Sequence, residues 1–294
     1  MSESAFLYSA ILRLHALHPA IVPAAHGHKT HGAFLELVRR ADPEAAAQLH
    51  DTNARKPFTT SPLRGFRVGR EGDLLLRAGD EGWLRVTLAG DDYFRLFISH
   101  FTRWQSVAQL TIGAADLLVS AVLVTPGSHP WAGYTTPEDL MAQAAPDPHI
   151  RLELATPTAF SVGDGEIELS PRSDLVFDSL KRKWEKWCDA PLPAPWPERK
   201  WFWDNVVTAV DSLQRVRWRF ENRVQLGMVG QFDYRIRPTD EATLRLLNGL
   251  ADFAFYAGLG QKTTQGMGQV RRIARSSNSL IVEPAGDAHD HVTP

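Results

Sequence analysis

Near its C-terminus the chain carries the glycine-rich stretch GLGQKTTQGMGQVRR, which runs from Gly258 to Arg272. A loop of this kind lets backbone N–H groups approach a polyanion, and Lys262, Arg271 and Arg272 would add positive charge to such a cradle. A dinucleotide fingerprint and a P-loop are both disfavoured, because this loop follows a predicted helix and precedes a predicted strand. The alternative is a helix C-cap at Gly258 followed by a tight turn.

Residues suited to acid–base chemistry lie near the N-terminus, where His50 ends a predicted helix and Lys56 follows it. An imidazole can give or take a proton near neutral pH, although a histidine at a helix C-terminus is also a favourable cap. HGHKTH, which ends at His31, contains three histidines without a carboxylate or thiol, and this is a weak zinc signal. We therefore expect no metal and no cofactor, and we expect His26 and His28 to be exposed loop residues.

Arginine alternates with apolar residues in the segment QRVRWRF. If the segment is a strand, its guanidinium groups lie on one face and its apolar groups on the other. Such a row of charges matches phosphates at fixed spacing. The alternative is an exposed strand face that is basic in order to discourage edge pairing. The row consists of Arg215, Arg217 and Arg219.

The charge of the chain is unevenly distributed. The net charge is −2, yet the stretch 172–275 holds 18 Lys and Arg against 12 Asp and Glu, an excess of +6, so the remainder carries −8. This asymmetry favours a polyanion-binding face in the second half. The single cysteine, Cys188, excludes a disulfide framework and suits a reducing, cytoplasmic location. No apolar run has the length of a membrane helix, and we expect no membrane partner.

Strand-like and helix-like segments alternate along the chain, and we predict the order βαββαβ twice. The proline- and glycine-rich segment 125–139 is the best candidate for a boundary between the two units. We therefore expect an α+β protein of two tandem ferredoxin-like domains, an architecture also used by RNA-recognition sheets. The predicted limits are 1–128 for the first domain, 129–275 for the second, and 276–294 for a mobile tail.

Three motifs resemble one known family. FYAGLGQKTTQGMGQV resembles the C-terminal glycine-rich loop of the CRISPR-associated endoribonucleases that cut precursor CRISPR RNA within its repeats. HGAFLELVRRADPEAAAQLHDTNARKPFTTSPL is similar to the first helix of that family and its "K-x-F-T-x-S" strand, and GMVGQFDY to another strand signature. The resemblance covers roughly residues 5–273, and the family is built of two ferredoxin-like domains.

The resemblance implies cleavage without metal, in which the 2′-hydroxyl attacks the adjacent phosphate and leaves a 2′,3′-cyclic phosphate and a 5′-hydroxyl end. It places His50 as general base, or as acid if the pose is reversed, and Lys56 as the cation that stabilises the transition state. Leu35 stands where some members of the family carry a tyrosine. His31 lies one helical turn earlier on the same face and is the second catalytic candidate.

The implied partner is precursor CRISPR RNA, with a CRISPR interference complex as a further possible partner and a monomer or homodimer as the oligomeric state. The rival interpretation is an RNA-binding subunit of a CRISPR effector complex that does not cut RNA. A nucleotide-dependent enzyme is disfavoured by the order of elements around the loop. The expected RNA-binding positions are Arg215, Arg217 and Arg219 in the strand and Gly258, Gly260, Lys262, Thr263, Thr264, Gly266, Gly268 and Arg271 in or beside the loop.

Overall fold

The computed structural model describes residues 6–50, 56–102, 108–188, 190–220 and 223–273, without the side chains of His50 and Arg223. The predicted tail at 276–294 lies outside these residues. Within them, no helix is long and apolar enough to cross a membrane.

The N-terminal half is built around a strand that is buried along most of its length. That strand, LYSAILRLHA, is apolar at most positions because it has a neighbour on each side and little contact with solvent. The elements in chain order are β1 (Leu7–Ala16), β2 (Ala20–Val22), α1 (Gly27–Ala41), α2 (Pro43–His50), β3 (Phe58–Thr60), β4 (Arg67–Val68), β5 (Leu74–Leu76), β6 (Glu81–Ala89), α3 (Asp91–Thr102), β7 (Gln109–Ile112), β8 (Ala115–Leu123) and β9 (Gly133–Thr135).

The main N-terminal sheet is antiparallel, with the strand order β3-β6-β1-β8-β7. Strand β3, which follows the first helical segment, lies at one edge of this sheet. Strands β1 and β6, the first and third strands of the βαββαβ repeat, are central. This is the arrangement of a ferredoxin-like unit. Strand β9 lies beyond the predicted boundary at 128/129 and also pairs with β1. The small sheet β2-β5-β4 is separate from the main sheet.

The C-terminal half repeats this plan. Its elements are α4 (Pro137–Ala142), β10 (His149–Thr158), β11 (Phe160–Gly163), β12 (Glu166–Glu168), α5 (Ser173–Trp187), α6 (Arg199–Asn205), β13 (Val206–Val210), β14 (Gln214–Phe220), β15 (Arg223–Ile236), α7 (Glu241–Ala257), a 3₁₀ turn (Thr263–Gln265) and β16 (Val270–Arg272). The sheet order is β13-β15-β10-β16, and β14 pairs with the first half of β15.

The N-cap of helix α7 is Asp240, whose side chain accepts a hydrogen bond from the Thr243 N–H, and its C-cap is Gly258, whose φ is 66°. Two hydrophobic cores fill the molecule, one under each main sheet. Leu7 and Ala89, from N-terminal strands, belong to the C-terminal core, so the halves pack directly on each other. The prediction of two ferredoxin-like units is confirmed.

Arg85 contacts residues of both halves. Its side chain is 1% exposed and donates hydrogen bonds to Ser9 Oγ at 2.8 Å, Gln269 Oε1 at 2.7 Å and the Phe255 carbonyl at 2.5 Å. Burial lowers its pKa to about 9. The guanidinium also stacks on Trp131, with 4.7 Å between its central carbon and the ring centroid. These contacts hold the two halves in one relative position.

Candidate active site between the two halves

The glycine-rich loop is a compact turn that packs against backbone on several sides. At Gly260, where φ is 72°, a Cβ atom would lie 2.3 Å from the Ala159 carbonyl oxygen. At Gly268, where φ is 69°, a Cβ atom would lie 2.0 Å from the Leu259 carbonyl oxygen. Neither position can accept a side chain without a shift of main chain, so close packing accounts for these two glycines.

Hydrogen bonds from backbone to backbone hold the loop in this shape. The Leu259 N–H donates to the Gly268 carbonyl at 2.9 Å, and the Gln261 N–H donates to the Ala159 carbonyl at 2.9 Å. The Gly268 N–H donates to the Pro157 carbonyl at 3.0 Å. These three N–H groups already donate to carbonyls of the protein. A ligand could therefore accept hydrogen bonds only from N–H groups elsewhere in the loop.

A buried lysine secures the start of the loop. Lys183 of α5 is 8% exposed, and its Nζ donates to the carbonyls of Ala257 at 2.8 Å and Gly258 at 2.9 Å. Its positive charge therefore lies at the negative end of α7. The loop folds back over α5 and covers this lysine.

The loop reaches across to the N-terminal half at the first turn of α1. A Cβ atom on Gly27 would lie 2.0 Å from the Gln265 carbonyl oxygen, so α1 and the 3₁₀ turn are in backbone contact. The Thr264 carbonyl accepts hydrogen bonds from Thr60 Oγ1 at 2.7 Å and His31 Nδ1 at 3.0 Å. The loop thus meets a histidine of the other half directly.

His31 is held on two sides. Because a carbonyl oxygen can only accept, Nδ1 of His31 must carry the proton of this hydrogen bond. The ring also lies against Phe58, with 5.5 Å between ring centroids and 19° between planes. In the neutral ring the lone pair is then on Nε2, which is the nitrogen able to accept a proton.

A cleft of about 370 Å³ opens beside this contact and brings together residues from both halves. Lys56 lines it from the N-terminal half, while the α5 face and the loop contribute Arg182, Lys183 and Lys262. Gly260 and the residues that follow it up to Thr264 form its wall on the loop side. Among the described residues that line the cleft, none is acidic. Its electrostatics suit a polyanion.

Two of the three predicted catalytic residues lie beside the loop residue Thr264, and their roles stay predictions. His31 contacts Thr264, and Lys56 and Thr264 line the same cleft. Helix α2 ends at His50, whose side chain lies outside the described part of the structure. Its role stays a prediction.

The strand β14 forms a hairpin with β15 that covers the loop. Trp218 and Lys262 connect the two: a Cβ on Gly266 would lie 3.3 Å from the Trp218 ring, and Lys262 Nζ lies 4.3 Å from the Phe220 ring centroid. Lys262 also donates a hydrogen bond to Gln225. The opposite face of the strand is exposed and, as the alternation predicts, carries Arg215, Arg217 and Arg219.

Arg271 does not join this cleft. Its Nε lies 2.6 Å from a carboxylate oxygen of Glu153, and its guanidinium lies 5.1 Å from the Trp131 ring centroid. It lines a separate cleft of about 250 Å³ together with Arg64, Arg85 and other residues. Its predicted contact with RNA stays a prediction.

The expectation of exposed loop residues was wrong both for His28, which is half-buried within α1, and for His26, which is buried. It is 4% exposed, its Nδ1 donates to the Pro23 carbonyl at 2.7 Å, and its Nε2 accepts from the Leu63 N–H at 3.0 Å. Burial is the main cause that lowers its pKa. Both nitrogens of the neutral ring are used structurally. Across the described residues, no group of His, Cys, Asp and Glu could hold a metal ion.

Thr60 and Gly27 were not identified from the sequence as site residues. Thr60 lies within the quoted "K-x-F-T-x-S" strand, and this was the only signal available for it. Gly27 stands one residue after His26 in a histidine-rich stretch, and no local pattern shows that it faces Gln265. Contacts between residues so far apart in sequence are visible only in the folded chain.

Comparison with known proteins gives two family matches. Residues 6–142 match a model described as the CRISPR Cas6 N-terminal domain, and residues 152–270 match a model described as CRISPR-associated endoribonuclease Cas6. No curated protein matches the chain.

Several solved structures are similar over nearly the whole chain. A product complex of Cas6 (TTHB231) has a TM-score of 0.73 and 26% identity, and covers 91% of this chain and 99% of its own. A product complex of Cas6 (TTHA0078) has a TM-score of 0.70 and 28% identity, and covers 92% and 100%. Thermus thermophilus Cas6 (TTHB231) has a TM-score of 0.68 and 26% identity, and covers 92% and 99%.

Proposed function

Because the chain belongs to the Cas6 family of CRISPR-associated endoribonucleases, we propose that it matures guide RNA by cutting precursor CRISPR RNA within its repeats. The observation that carries the proposal is that Thr264, which accepts a hydrogen bond from His31, lines a basic cleft between the halves together with Lys56. Similar structures were solved as complexes with product and with a substrate mimic. An RNA backbone is a polyanion of the kind that the cleft charge suits.

The proposed reaction is a transesterification that uses the RNA's own 2′-hydroxyl. A base takes the 2′ proton, the 2′ oxygen attacks the adjacent phosphorus, and the bond from phosphorus to the 5′ oxygen breaks. An acid returns a proton to the leaving oxygen. The products are a 2′,3′-cyclic phosphate and a 5′-hydroxyl, and no metal is required.

Three residues share the work in this proposal. His31 exchanges a proton through Nε2, since its Nδ1 donates to Thr264. Lys56 stabilises the negative charge that builds on the phosphoryl oxygens, because an ammonium in a cleft offers its charge without reorganisation. His50 performs the other proton step. Assigning base and acid between the two histidines requires the pose of the RNA.

The exposed arginines of β14 and the cleft wall formed by the loop are the proposed contacts to the phosphates of the RNA. The row of Arg215, Arg217 and Arg219 lies on the same hairpin that covers the loop. These contacts are electrostatic, so affinity should fall as salt rises.

The test incubates purified protein in EDTA with the cognate repeat RNA and with a copy bearing one 2′-deoxy nucleotide at the cut site. Wild type, His31→Ala and His50→Ala are compared. Cleavage of the all-ribose RNA alone, lost in a histidine variant, supports the mechanism. Tight binding with no cleavage by wild type would instead favour the RNA-binding subunit that does not cut.

A further inference from the structure

We propose that Thr60 is a positioning residue, which with the Thr264 carbonyl holds His31 in the tautomer protonated at Nδ1 so that Nε2 performs the proton transfer. The inference rests on the proposed function for its catalytic meaning. Its structural content, the tautomer of His31 and the group that maintains it, can be measured without RNA.

The Thr264 carbonyl is the shared acceptor of this arrangement. It receives Thr60 Oγ1 at 2.7 Å and His31 Nδ1 at 3.0 Å. A carbonyl oxygen has two lone pairs, and two donors from the N-terminal half occupy them. The hydroxyl therefore fixes the position of the oxygen on which the imidazole depends.

The surroundings of Thr60 direct its hydroxyl proton to the Thr264 carbonyl oxygen. Thr60 is 0% exposed, and the hydroxyl of Thr30 lies 3.5 Å from its Oγ1. Thr30 Oγ1 itself donates to the Gly27 carbonyl at 2.9 Å. Since 3.5 Å is long for a bond between hydroxyls, the 2.7 Å contact with Thr264 is the one that Thr60 makes.

The arrangement links the two halves of the molecule. Thr264 belongs to the 3₁₀ turn of the glycine-rich loop, which contacts the backbone of Gly27 through Gln265. His31 and Thr60 belong to α1 and β3 of the other half. The histidine is therefore held in its working tautomer only when the loop of the C-terminal half is seated against α1 and β3.

The experiment uses full-length protein labelled with ¹⁵N-histidine, and His31→Gln identifies the His31 signals by difference. When its imidazole is neutral, wild type should show the proton on Nδ1 of His31. Thr60→Val removes the hydroxyl with little change of shape, and Thr60→Ser retains it. We expect the valine variant to lose the single tautomer and the serine variant to keep it.

The second measurement is single-turnover cleavage at saturating repeat RNA. Thr60→Val should lower the rate by about 2-fold to 10-fold, the range expected for one hydrogen bond, with the Kd for uncleavable 2′-deoxy RNA unchanged. Thr60→Ser should restore the rate. A role that is only structural would instead lower the unfolding midpoint or the affinity while leaving the saturated rate and the tautomer unchanged, and this result would overturn the proposal.

A proton found on Nε2 of His31 in wild type would also overturn it, whatever the activity. If wild type shows the Nδ1 proton but no RNA is cut, the proposed function fails while the positioning by Thr60 and Thr264 stands. The two failures therefore have different signatures.

Discussion

The carbonyl oxygen of Thr264 lies 3.0 Å from Nδ1 of His31, although the two residues are 233 positions apart in the chain. This hydrogen bond crosses from the glycine-rich loop of one ferredoxin-like unit to the first helix of the other. In the proposed mechanism it determines which ring nitrogen exchanges a proton, and it makes the candidate active site dependent on the contact between the two halves.

Replacing His31 by alanine should reduce cleavage of repeat RNA by about 100-fold or more, because a positioned acid or base contributes at least that much. The affinity for 2′-deoxy RNA should stay near the wild-type value. Single-turnover rates and a binding titration measure both. His18→Ala, at an exposed position in the same half, is the matched control and should cleave normally. Normal cleavage by His31→Ala would remove His31 from the mechanism.

Cleavage of RNA should require the positive charge of Lys56, which lines the cleft. Lys56→Ala should lower the saturated cleavage rate by about 10-fold to 1000-fold, as expected when one stabilising group is lost at a developing negative charge. Lys56→Arg keeps a cation and should retain more of the rate. Equal rates for the two variants would show that positive charge at this position is not what matters.

Gly27→Ala should separate α1 from the glycine-rich loop, since the new Cβ would lie 2.0 Å from the Gln265 carbonyl oxygen. We expect a loss of about 1 to 3 kcal/mol in the free energy of unfolding, together with reduced cleavage. Chemical denaturation and RNA cleavage report the two effects.

The same helix offers the control. Gly32 is exposed in α1, and a Cβ added there meets no atom within 4 Å. Gly32→Ala should therefore leave cleavage unchanged and raise stability by about 0.5 to 1 kcal/mol, because alanine is the better helix former. Identical behaviour of the two alanine variants would contradict the proposed contact.

Arg217→Ala should weaken binding of repeat RNA and reduce the slope of log Kd against log salt by about 1, which corresponds to one phosphate contact. Arg217 is exposed on β14, on the face away from the loop. Arg67, exposed on β4, provides the control substitution. The hypothesis of a binding row fails if Arg217→Ala and Arg67→Ala have the same salt slope as wild type.

His26 should make the fold sensitive to acid. Burial is the main cause that lowers its folded-state pKa from the ordinary value of about 6.5, while Arg64 and His28 add smaller effects in the same direction and the Pro23 contact opposes them. The unfolded state then binds the proton more readily. The stability that His26 contributes is present above about pH 6.5 and is lost as the pH falls through the lower folded-state pKa.

Denaturation curves at several pH values between about 7 and 5 can isolate this effect. The difference in unfolding free energy between wild type and His26→Gln should shrink as the pH falls, because protonation of Nε2 removes its hydrogen bond from the Leu63 N–H. A constant difference across that range would show that His26 does not titrate with unfolding.

Much of the fold was predictable because it depends on local patterns. The alternation in QRVRWRF correctly predicted the exposed arginine row, and Asp240 before α7 is the N-cap that the sequence TDE indicates. The burial of Lys183 was not predictable in this way, since its neighbours on the helix surface do not reveal that the loop covers it.

The composition of the glycine-rich loop predicted its unusual backbone but not its packing. Four glycines between a helix and a strand indicate unusual backbone, and the structure has positive φ at all four. The sequence does not show what approaches them. At Gly260 and Gly268 the neighbour is the protein's own backbone.

The sequence alone determined the two repeated ferredoxin-like units and the residue types able to move protons and bind phosphates, because these follow from periodicity, propensity and chemistry over short distances. Only the tertiary structure decided that His31 meets Thr264, that His26 is a buried structural residue and that Arg271 pairs with Glu153. Such contacts form when distant segments pack to bury apolar surface and satisfy polar groups. Packing of this kind is a property of the whole chain and not of any segment within it.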